Sequence, residues 1–206
     1  MNEIKKDNTE EKILKAARTI FVRKGMDGAR MQEIADEAGI NKALLHYYFR
    51  SKQKLFEAIF GNIIGQIFPN ITSVLLSDKP IDEKIGIFIE TYIDMLLQNP
   101  YLPAFMLKEI NRDSDFFENT IKDRKIELSS IFKMLEKEME AGKLRKMNPR
   151  DIIANLLSMC IFPFAAKPML KLILFGDNHQ QYDQYLEQRK STIKEFALNS
   201  IMVKQS

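Results

Sequence analysis

The sequence predicts an all-α protein, with an N-terminal three-helix domain over residues 1–52 and a larger helical domain over residues 53–206. Two observations predict this class. Apolar residues recur at helical spacing in almost every segment, and no segment shows the sustained alternation of a β-strand. The 8 glycines among 206 residues lie mainly at junctions between the predicted helices.

The composition is that of an ordinary globular chain, with 45% apolar and 29% charged residues. No apolar run approaches the roughly 20 residues of a membrane helix, and the polar N-terminus does not resemble a secretory signal. We therefore expect a cytoplasmic protein without membrane contact. The single cysteine, Cys160, excludes an intramolecular disulfide and a multi-cysteine metal cage. We expect a buried small side chain there rather than a redox sensor.

The first predicted helix spans residues 9–24, with Thr9 at its N-cap and Gly25 at its end. Residues at 3.6-residue spacing give it one apolar face, made of Ile13, Leu14, Ala17, Ile20 and Phe21.

Two short helices are predicted next, over residues 30–38 and 42–49, joined by a tight turn at Gly39. Asn41 is the expected N-cap of the second, and a longer helix begins after Ser51. This order of elements is typical of a helix-turn-helix.

Charge is unevenly distributed along the chain. Residues 1–60 contain 12 basic and 9 acidic side chains, whereas the remaining residues contain 19 of each. The segment 39–54 has four basic residues and no acid. Such a stretch is either a solvated helix face or a surface for nucleic acid, and its position beside a helix-turn-helix favours nucleic acid.

The second short helix has more residues than its inward face can bury. Leu45 and Phe49, four residues apart, are expected in the core, which leaves His46, Tyr47 and Tyr48 exposed beside lysines. Tyrosine hydroxyls suit phosphate oxygens, and the rings suit sugars and thymine methyl groups.

The segment GMDGARMQEIADEAGINKALLHYYFRSKQKLF, residues 25–56, resembles the TetR family of transcriptional repressors. The matching positions agree in order and spacing: Gly25, Ile34, Ala35, Ala38, Gly39, Leu45, Phe49, Lys52 and Leu55. The resemblance covers about 45 residues, including the first helix. It implies a homodimer that binds double-stranded operator DNA and a C-terminal domain that binds a small-molecule effector.

The resemblance also implies roles for single residues. Positions that read bases fall on Gln32, Lys42, Ala43, Leu44 and Tyr47, and phosphate contacts fall on His46 and Lys52, with Tyr48 nearby. Asn41, the N-cap that leaves the start of this helix free to face the groove, is also assigned to the DNA-binding surface. Lys42 and Lys52 are the strongest candidates for contact with DNA. Tyr48 either joins them or packs against the first helix.

Three departures from the family pattern leave the operator sequence undefined. Ala29 and Arg30 stand where the family often has a threonine, and Arg30 is a candidate to replace its phosphate contact. Leu44 stands where a polar residue is frequent, and His46 where tyrosine is usual. A two-fold dimer should bind a near-palindromic operator, expected in the protein's own upstream region.

The C-terminal domain is predicted as further helices over residues 82–98, 102–111, 115–141 and 181–203, with another opening at Asn148-Pro149. Pro69 is expected to end or kink the helix that leads out of the first domain, and Pro163 and Pro168 to kink or break a later one.

This domain is rich in methionine and phenylalanine, which suit an adaptable apolar pocket but also ordinary core packing. Polar residues amid apolar stripes are more informative. Glu109, if it faced inward, would need a partner or a cationic ligand, but facing water is the favoured interpretation. Candidate ligand residues are Gln66, Phe88, Tyr92, Met95, Phe105, Met106, Glu109, Phe132 and Met159.

Dimerisation is assigned to the last two long helices, because their apolar residues exceed what one domain must bury alone. These are Ile152, Leu156, Leu157 and Ile161 on one helix, and Tyr185, Ile193, Phe196, Ala197 and Ile201 on the other.

An enzyme is not expected. The sequence has no nucleophile-elbow, P-loop or zinc-protease motif, and its histidines are His46 and His179, the latter alone in a polar loop. No cofactor and no metal are expected. Two alternatives stay open: a DNA-binding regulator whose C-terminal domain binds a protein partner or no ligand, and a transcriptional activator.

Overall fold

The computed structural model describes residues 2–123, 128–176 and 178–203, with side chains from residue 8 onward except those of residues 66, 67 and 179. The described residues form helices and a single isolated bridge between Leu144 and Met202, which confirms the all-α class. The helices are α1 (Asn2–Gly28), α2 (Met31–Glu37), α3 (Lys42–Tyr48), α4 (Lys52–Leu75), α5 (Ile81–Gln98), α6 (Leu102–Arg112), α7 (Ser114–Asp123), α8 (Ser129–Glu140), α9 (Pro149–Ala165), α10 (Lys167–Phe175) and α11 (His179–Ile201).

Helix α1 differs from its predicted bounds at both ends. It begins at Asn2 rather than Thr9, because the charged residues ahead of Thr9 include good helix formers. The predicted stop at Gly25 is a kink, with φ +72° and ψ 174°, after which the helix resumes as far as Gly28. Glycine adopts this positive φ without steric cost.

The prolines act differently from one another. Helix α4 runs six residues past Pro69, so the predicted end there is wrong. In the turn after the proline, the Thr72 hydroxyl lies within donating distance of the Phe68 carbonyl at 3.0 Å and the Pro69 carbonyl at 3.1 Å. Pro163 lies inside α9, and the predicted break falls at Ala166, where α9 and α10 meet at 80°.

The predicted helix over residues 115–141 is described as two helices, α7 and α8, and residues 124–127 lie outside the described part. The remaining predicted helices agree with the observed ones to within about two residues.

The chain divides into two compact units. Unit 1 comprises Met1–Ile67 and Phe105–Arg124, and unit 2 comprises Phe68–Ala104 and Lys125–Ser206. These units do not follow the predicted division after residue 52, because much of α4 and the segment containing α6 and α7 pack with the first three helices. The functional boundary after residue 52 stays a prediction.

An aromatic cluster forms part of the core of unit 1. The Phe56 ring lies edge-on to Phe21, with centroids 5.4 Å apart, and close to Phe105 at 6.1 Å and Phe116 at 5.8 Å. Phe60 packs against the same Phe116 ring at 5.2 Å. These contacts bury apolar area from α1, α4, α6 and α7 together, which is why the four helices form one unit.

A buried carboxylate also joins these helices. Glu109 on α6 is 2% exposed, and its Oε1 accepts a bond from the Met26 backbone N–H, just after the kink in α1, at 3.2 Å. Its Oε2 accepts from Arg112 Nε at 2.6 Å, and the Arg112 guanidinium lies 5.7 Å from the centroid of Phe56. The bond to Glu109 raises the pKa of Arg112 above its ordinary value.

Unit 2 is built mainly on α5, α9 and α11, whose apolar faces form one core. Tyr182 on α11 is fully buried there, and its hydroxyl donates to the Pro163 carbonyl near the end of α9. Burial is the main cause that raises the pKa of Tyr182 to about 12, so its hydroxyl stays protonated near neutral pH. This bond satisfies a phenol that would otherwise be an unpaired polar group in the core.

Among the described helices, α4 is long and apolar enough to span a membrane by length and composition, with a mean hydropathy of 1.3 in its most apolar window. One such helix is weak evidence for a membrane protein, because a core helix passes the same test. Leu55, Phe56, Ile59 and Phe60 are buried in unit 1, as expected of a core helix.

Replacing Glu109 with alanine is expected to lower the free energy of unfolding by about 2 kcal/mol, because the Met26 N–H and Arg112 both lose a buried acceptor. Glu109→Gln keeps one oxygen acceptor and is expected to lower it by about 1 kcal/mol. Urea unfolding followed by circular dichroism measures both.

The matched control for the Glu109 variants is Glu118→Ala on α7, whose exposed carboxylate pairs with Lys122 at 2.5 Å. This variant is expected to leave the unfolding midpoint nearly unchanged, because exposed ion pairs contribute little. Equal losses for Glu109→Ala and Glu118→Ala would contradict a structural role for the buried carboxylate.

Candidate nucleic-acid interface

Helix α3 begins with the predicted cap. Asn41 has an extended backbone, and its side-chain Oδ1 accepts from the Leu44 N–H at 2.8 Å, which confirms it as the N-cap. Leu45 is fully buried and Phe49 is 9% exposed, so these two residues anchor α3 to unit 1 as expected. With this face inward, the opposite side of the helix faces solvent.

The turn between α2 and α3 sets the angle at which α3 leaves the core. Gly39 has φ +67°, and its N–H donates to the Asp36 carbonyl at 3.1 Å. The Ile40 N–H donates to the Ala35 carbonyl at 3.0 Å. A side chain at position 39 would strain this left-handed residue, which confirms the predicted tight glycine turn.

The outward side of α3 contains the predicted contact residues. Lys42, Ala43, Leu44 and His46 are exposed, and Tyr47 is 72% exposed. Tyr48 is half-buried, and its ring lies edge-on to Tyr47 with centroids 5.5 Å apart. This surface combines one lysine, two tyrosines and a histidine with short apolar side chains, so it can contact phosphates, sugars and thymine methyl groups.

Two further candidates lie at the start of α2. Arg30 is exposed at the N-cap position, and its side chain makes no capping bond. Gln32 is exposed, and its Nε2 donates to Asp36 Oδ1 at 2.8 Å. Gln32 would have to exchange this partner to contact a base.

Lys52 is half-buried rather than free. Its Nζ donates to the carbonyls of Asp27 at 3.2 Å and Ala29 at 3.0 Å, so it holds the end of α1 and the residue after Gly28 against the start of α4. An ammonium has three donors, which leaves one for a phosphate. Contact between Lys52 and DNA stays a prediction, and its structural role was not anticipated from the sequence.

Arg50 is an exposed cation that the sequence analysis counted but did not assign to the interface. It follows α3 directly, and its carbonyl oxygen lies 3.4 Å from His46 Nδ1. The absence of acids over residues 39–54 was the signal that could have identified it. Lys54, in the same stretch, is less available because its Nζ pairs with Glu57 at 2.7 Å.

Five predicted ligand residues lie in unit 2. Phe88 is buried and stacks on the half-buried Tyr92, with ring centroids 5.5 Å apart and planes inclined by 14°. Met95 and Met159 are half-buried, and Phe132 lies under the Arg150 guanidinium at 5.1 Å. Their role in ligand binding stays a prediction.

Four predicted ligand residues lie in unit 1. Phe105 is buried against Phe56, and Met106 is half-buried. The expectation that Glu109 faces water is wrong, because α6 turns it into the core, where Met26 and Arg112 satisfy it. The Gln66 side chain lies outside the described residues.

Cys160 is 1% exposed, which confirms the expected buried side chain. Burial raises the pKa of its thiol to about 12, so the reactive thiolate is scarce at neutral pH. Within the described part of the chain, no group of three or more His, Cys, Asp or Glu side chains could hold a metal ion.

Comparison with known proteins agrees with this geometry. Residues 13–59 match the family of bacterial regulatory proteins of the tetR family, a segment that covers α2, α3 and the adjoining parts of α1 and α4. The probable HTH-type transcriptional regulator YttP of Bacillus subtilis is 23% identical over 198 residues, which are 92% of this chain and 94% of that protein. The HTH-type transcriptional repressor NicS of Pseudomonas putida is 40% identical over 57 residues, 28% of this chain and 27% of its own.

Solved structures show the same fold. The ketosteroid transcriptional regulator KstR2 of Mycobacterium tuberculosis aligns with a TM-score of 0.71 at 15% identity, over 95% of each chain. The matched family and the relatives are transcriptional regulators rather than enzymes. The helix-turn-helix near the N-terminus and the match over residues 13–59 show that this part of the chain is similar to the DNA-binding segment of the tetR family of bacterial regulatory proteins, and the chain has the fold of a solved transcriptional regulator.

Proposed function

We propose that this chain is a ligand-responsive transcriptional repressor that binds a near-palindromic operator as a homodimer and is released by a small lipophilic or aromatic effector. The observation that supports it most strongly is the outward side of α3, where Lys42 and Tyr47 are exposed while Leu45 and Phe49 hold the helix in place. A protein that acts on DNA is expected in the cytoplasm.

Within this proposal, Lys42 and Tyr47 enter the major groove, and Leu44, 37% exposed, meets a thymine methyl group. Arg30, Arg50 and the remaining donor of Lys52 contact phosphates on either side. Phosphate contacts release counterions, so the affinity should fall steeply as salt rises.

We propose that a second copy of the chain packs against exposed apolar side chains of unit 2 to form the dimer. Large apolar side chains on α9, α10 and α11 are exposed, with Phe162 at 50%, Leu172 at 64%, Ile173 at 67% and Phe196 at 65%. Exposed apolar side chains of this size on three helices that contact one another are typical of an interface. In a dimer, two copies of α3 would reach successive major grooves.

The residues expected to form that dimer need correction. Ile152, Leu156, Ile193, Ala197 and Ile201 are all less than 9% exposed within the single chain, so they form its own core rather than an interface. Of the residues named from the sequence, Phe196 is the exposed one, and α10 adds Leu172 and Ile173. Helix α10 was not anticipated as part of this surface because the sequence analysis predicted a kink or break near Pro163 and Pro168 but no separate helix after it.

Support for a lipophilic effector is chemical. The predicted ligand residues of unit 2 are aromatic rings and flexible thioethers, which suit an apolar molecule of variable shape. The name of the structural relative KstR2 refers to ketosteroids, which are lipophilic. A regulator without an effector, or an activator, remains the competing interpretation, and the position of the operator relative to the promoter separates repression from activation.

Substituting both Lys42 and Tyr47 with alanine is expected to weaken operator binding by at least roughly 100-fold, because one phosphate or base contact and one large ring contact are lost. Fluorescence anisotropy on the protein's own upstream DNA, at two salt concentrations, measures this. The salt dependence should also become shallower by about one unit of logarithmic slope if Lys42 contacts phosphate.

The matched control is the double variant Lys15→Ala, Tyr101→Ala, which removes the same residue types from exposed positions on α1 and before α6. It should bind the operator like the unmodified chain. If both double variants lose affinity for the operator equally, or if neither does, α3 is not the recognition helix. If the unmodified chain does not bind its upstream DNA, a binding sequence is first selected from random DNA. The affinities of the two double variants are then compared on that sequence.

Replacing Phe196 and Leu172 with glutamate is expected to convert the dimer to a monomer at micromolar concentrations, because two charges would have to be buried in the interface. Sedimentation equilibrium measures the change. Leu107→Glu, at an exposed position on α6, serves as the control and should stay dimeric. A dimer unaffected by the first pair of changes would place the interface elsewhere.

A further inference from the structure

A small polar cluster lies where α5, α9 and α11 pack together in unit 2. It consists of Tyr92 on α5, Cys160 on α9 and Arg189 on α11. Arg189 was not assigned any role from the sequence. Such a cluster is unusual amid a core whose other members are almost entirely apolar, so each of its polar atoms needs a partner.

The guanidinium of Arg189 is only partly satisfied by the protein. Its Nη2 donates to the Met159 carbonyl at 3.1 Å, and its central carbon lies 5.7 Å from the centroid of Tyr185. Its Nε is inaccessible to solvent and has no acceptor among the described residues. A buried donor without an acceptor typically costs about 1–3 kcal/mol.

The charge of Arg189 also lacks a carboxylate partner in the described part of the chain. The other cations of the same helix are neutralised by acids of α5: Lys190 pairs with Asp94, and Lys194 pairs with Glu90 at 2.8 Å. Arg189 faces the backbone of α9 instead. The helix therefore contributes one cation whose counter-charge the described protein does not supply.

Packing of the helices brings the three groups near one another, because Lys190 on α11 pairs with Asp94 on α5 and Arg189 donates to the carbonyl of Met159, the residue before Cys160. Burial raises the pKa of Cys160 to about 12, against the opposing influence of the Arg189 charge. Burial, and secondarily Cys160, raises the pKa of Tyr92 to about 12. Near neutral pH the thiol is uncharged and cannot neutralise Arg189, whereas the Tyr92 hydroxyl is protonated and able to donate.

The surroundings of this cluster are apolar and partly open. Phe88 stacks on Tyr92, while Met95, Met159, Tyr92 and Arg189 are half-buried rather than enclosed. Part of each of these four side chains is accessible to a ligand, whereas Arg189 Nε is shielded from solvent until its neighbours move. Arginine is well suited to such a position, because its planar fork of donors matches the two oxygens of a carboxylate.

We propose that Arg189 and Tyr92 bind the carboxylate of a lipophilic acid, whose apolar chain lies along Phe88, Met95 and Met159. The acid supplies both the acceptor for Nε and the missing negative charge, and its chain occupies the apolar surroundings. This inference rests on the effector role proposed for the C-terminal domain and names the chemical class of the effector. The competing interpretation is that a second copy of the chain, rather than a ligand, supplies the acceptor and the negative charge for Arg189.

The test is calorimetric titration of the full chain, without DNA, with sodium decanoate and separately with 1-decanol, both below their aggregation limits. Decanoate should bind saturably and at least roughly 10-fold more tightly than decanol, which has the same chain but no charge. Arg189→Gln should remove this preference. Tyr92→Phe keeps the ring, and it should weaken decanoate roughly 5-fold while leaving decanol unchanged.

Arg23→Gln is the matched control, since it removes the same charge from an exposed position on α1, and it should behave like the unmodified chain. Circular dichroism and sedimentation accompany each titration. If Arg189→Gln fails to fold, the proposal is tested by Tyr92→Phe alone, and unchanged binding of decanoate by that variant would overturn it.

Equal binding of decanoate and decanol, or no binding of decanoate, would overturn the proposal. So would loss of the dimer in Arg189→Gln, which would assign Arg189 to the subunit contact. The titration contains no DNA, so a negative result with decanoate does not bear on operator binding. Equally, a negative result for operator binding does not bear on the binding of decanoate.

Discussion

The buried carboxylate of Glu109 is the contact on which the arrangement of unit 1 depends. It joins residues 83 positions apart, because one oxygen holds the backbone just after the kink in α1 and the other holds Arg112. The kink requires glycine because of its φ of +72°, whereas an added Cβ would meet only the flexible end of Lys108, at 2.9 Å, and Glu109 Oε1 at an ordinary 3.5 Å. A glycine and a glutamate thus fix together how a later helix meets the DNA-binding segment.

This contact gives the DNA-binding segment a physical connection to the part of the chain that follows α5. In unit 1, α6 touches α1 through Glu109 and α4 through the Phe105 and Phe56 rings. A ligand influences DNA binding only if it has different affinities for two states of the protein. A displacement of α6 is one change that would alter both the α1 kink and the aromatic cluster.

The sequence predicted the elements whose causes are local. Asn41, Gly39, Leu45 and Phe49 act within a few residues of one another, so cap, turn and buried face follow from spacing alone. The partners of Glu109 could not be predicted, since nothing in the local pattern of α6 indicates a backbone N–H 83 residues away.

Other misses have the same origin in tertiary contacts. Contact between Lys52 and DNA stays a prediction, but the bonds from its Nζ to the carbonyls of Asp27 and Ala29, more than 20 residues earlier, were not anticipated. The apolar residues assigned to a dimer were mostly needed for the core of the chain itself, because periodicity reveals that a face is buried but not what buries it. Arg189 was not identified from the sequence because its interest lies in its tertiary surroundings: its Nε has no acceptor, and its charge has no carboxylate partner, among the described residues.

The most direct test of the central claim, that α3 meets DNA, is amide hydrogen exchange of the full chain with and without its operator fragment. Peptides covering residues 41–50 are predicted to exchange more slowly in the complex, because the helix is shielded and held in the groove. Peptides from α8 should be unchanged and serve as an internal reference. Protection that is absent from residues 41–50 while the DNA is fully bound would contradict the account.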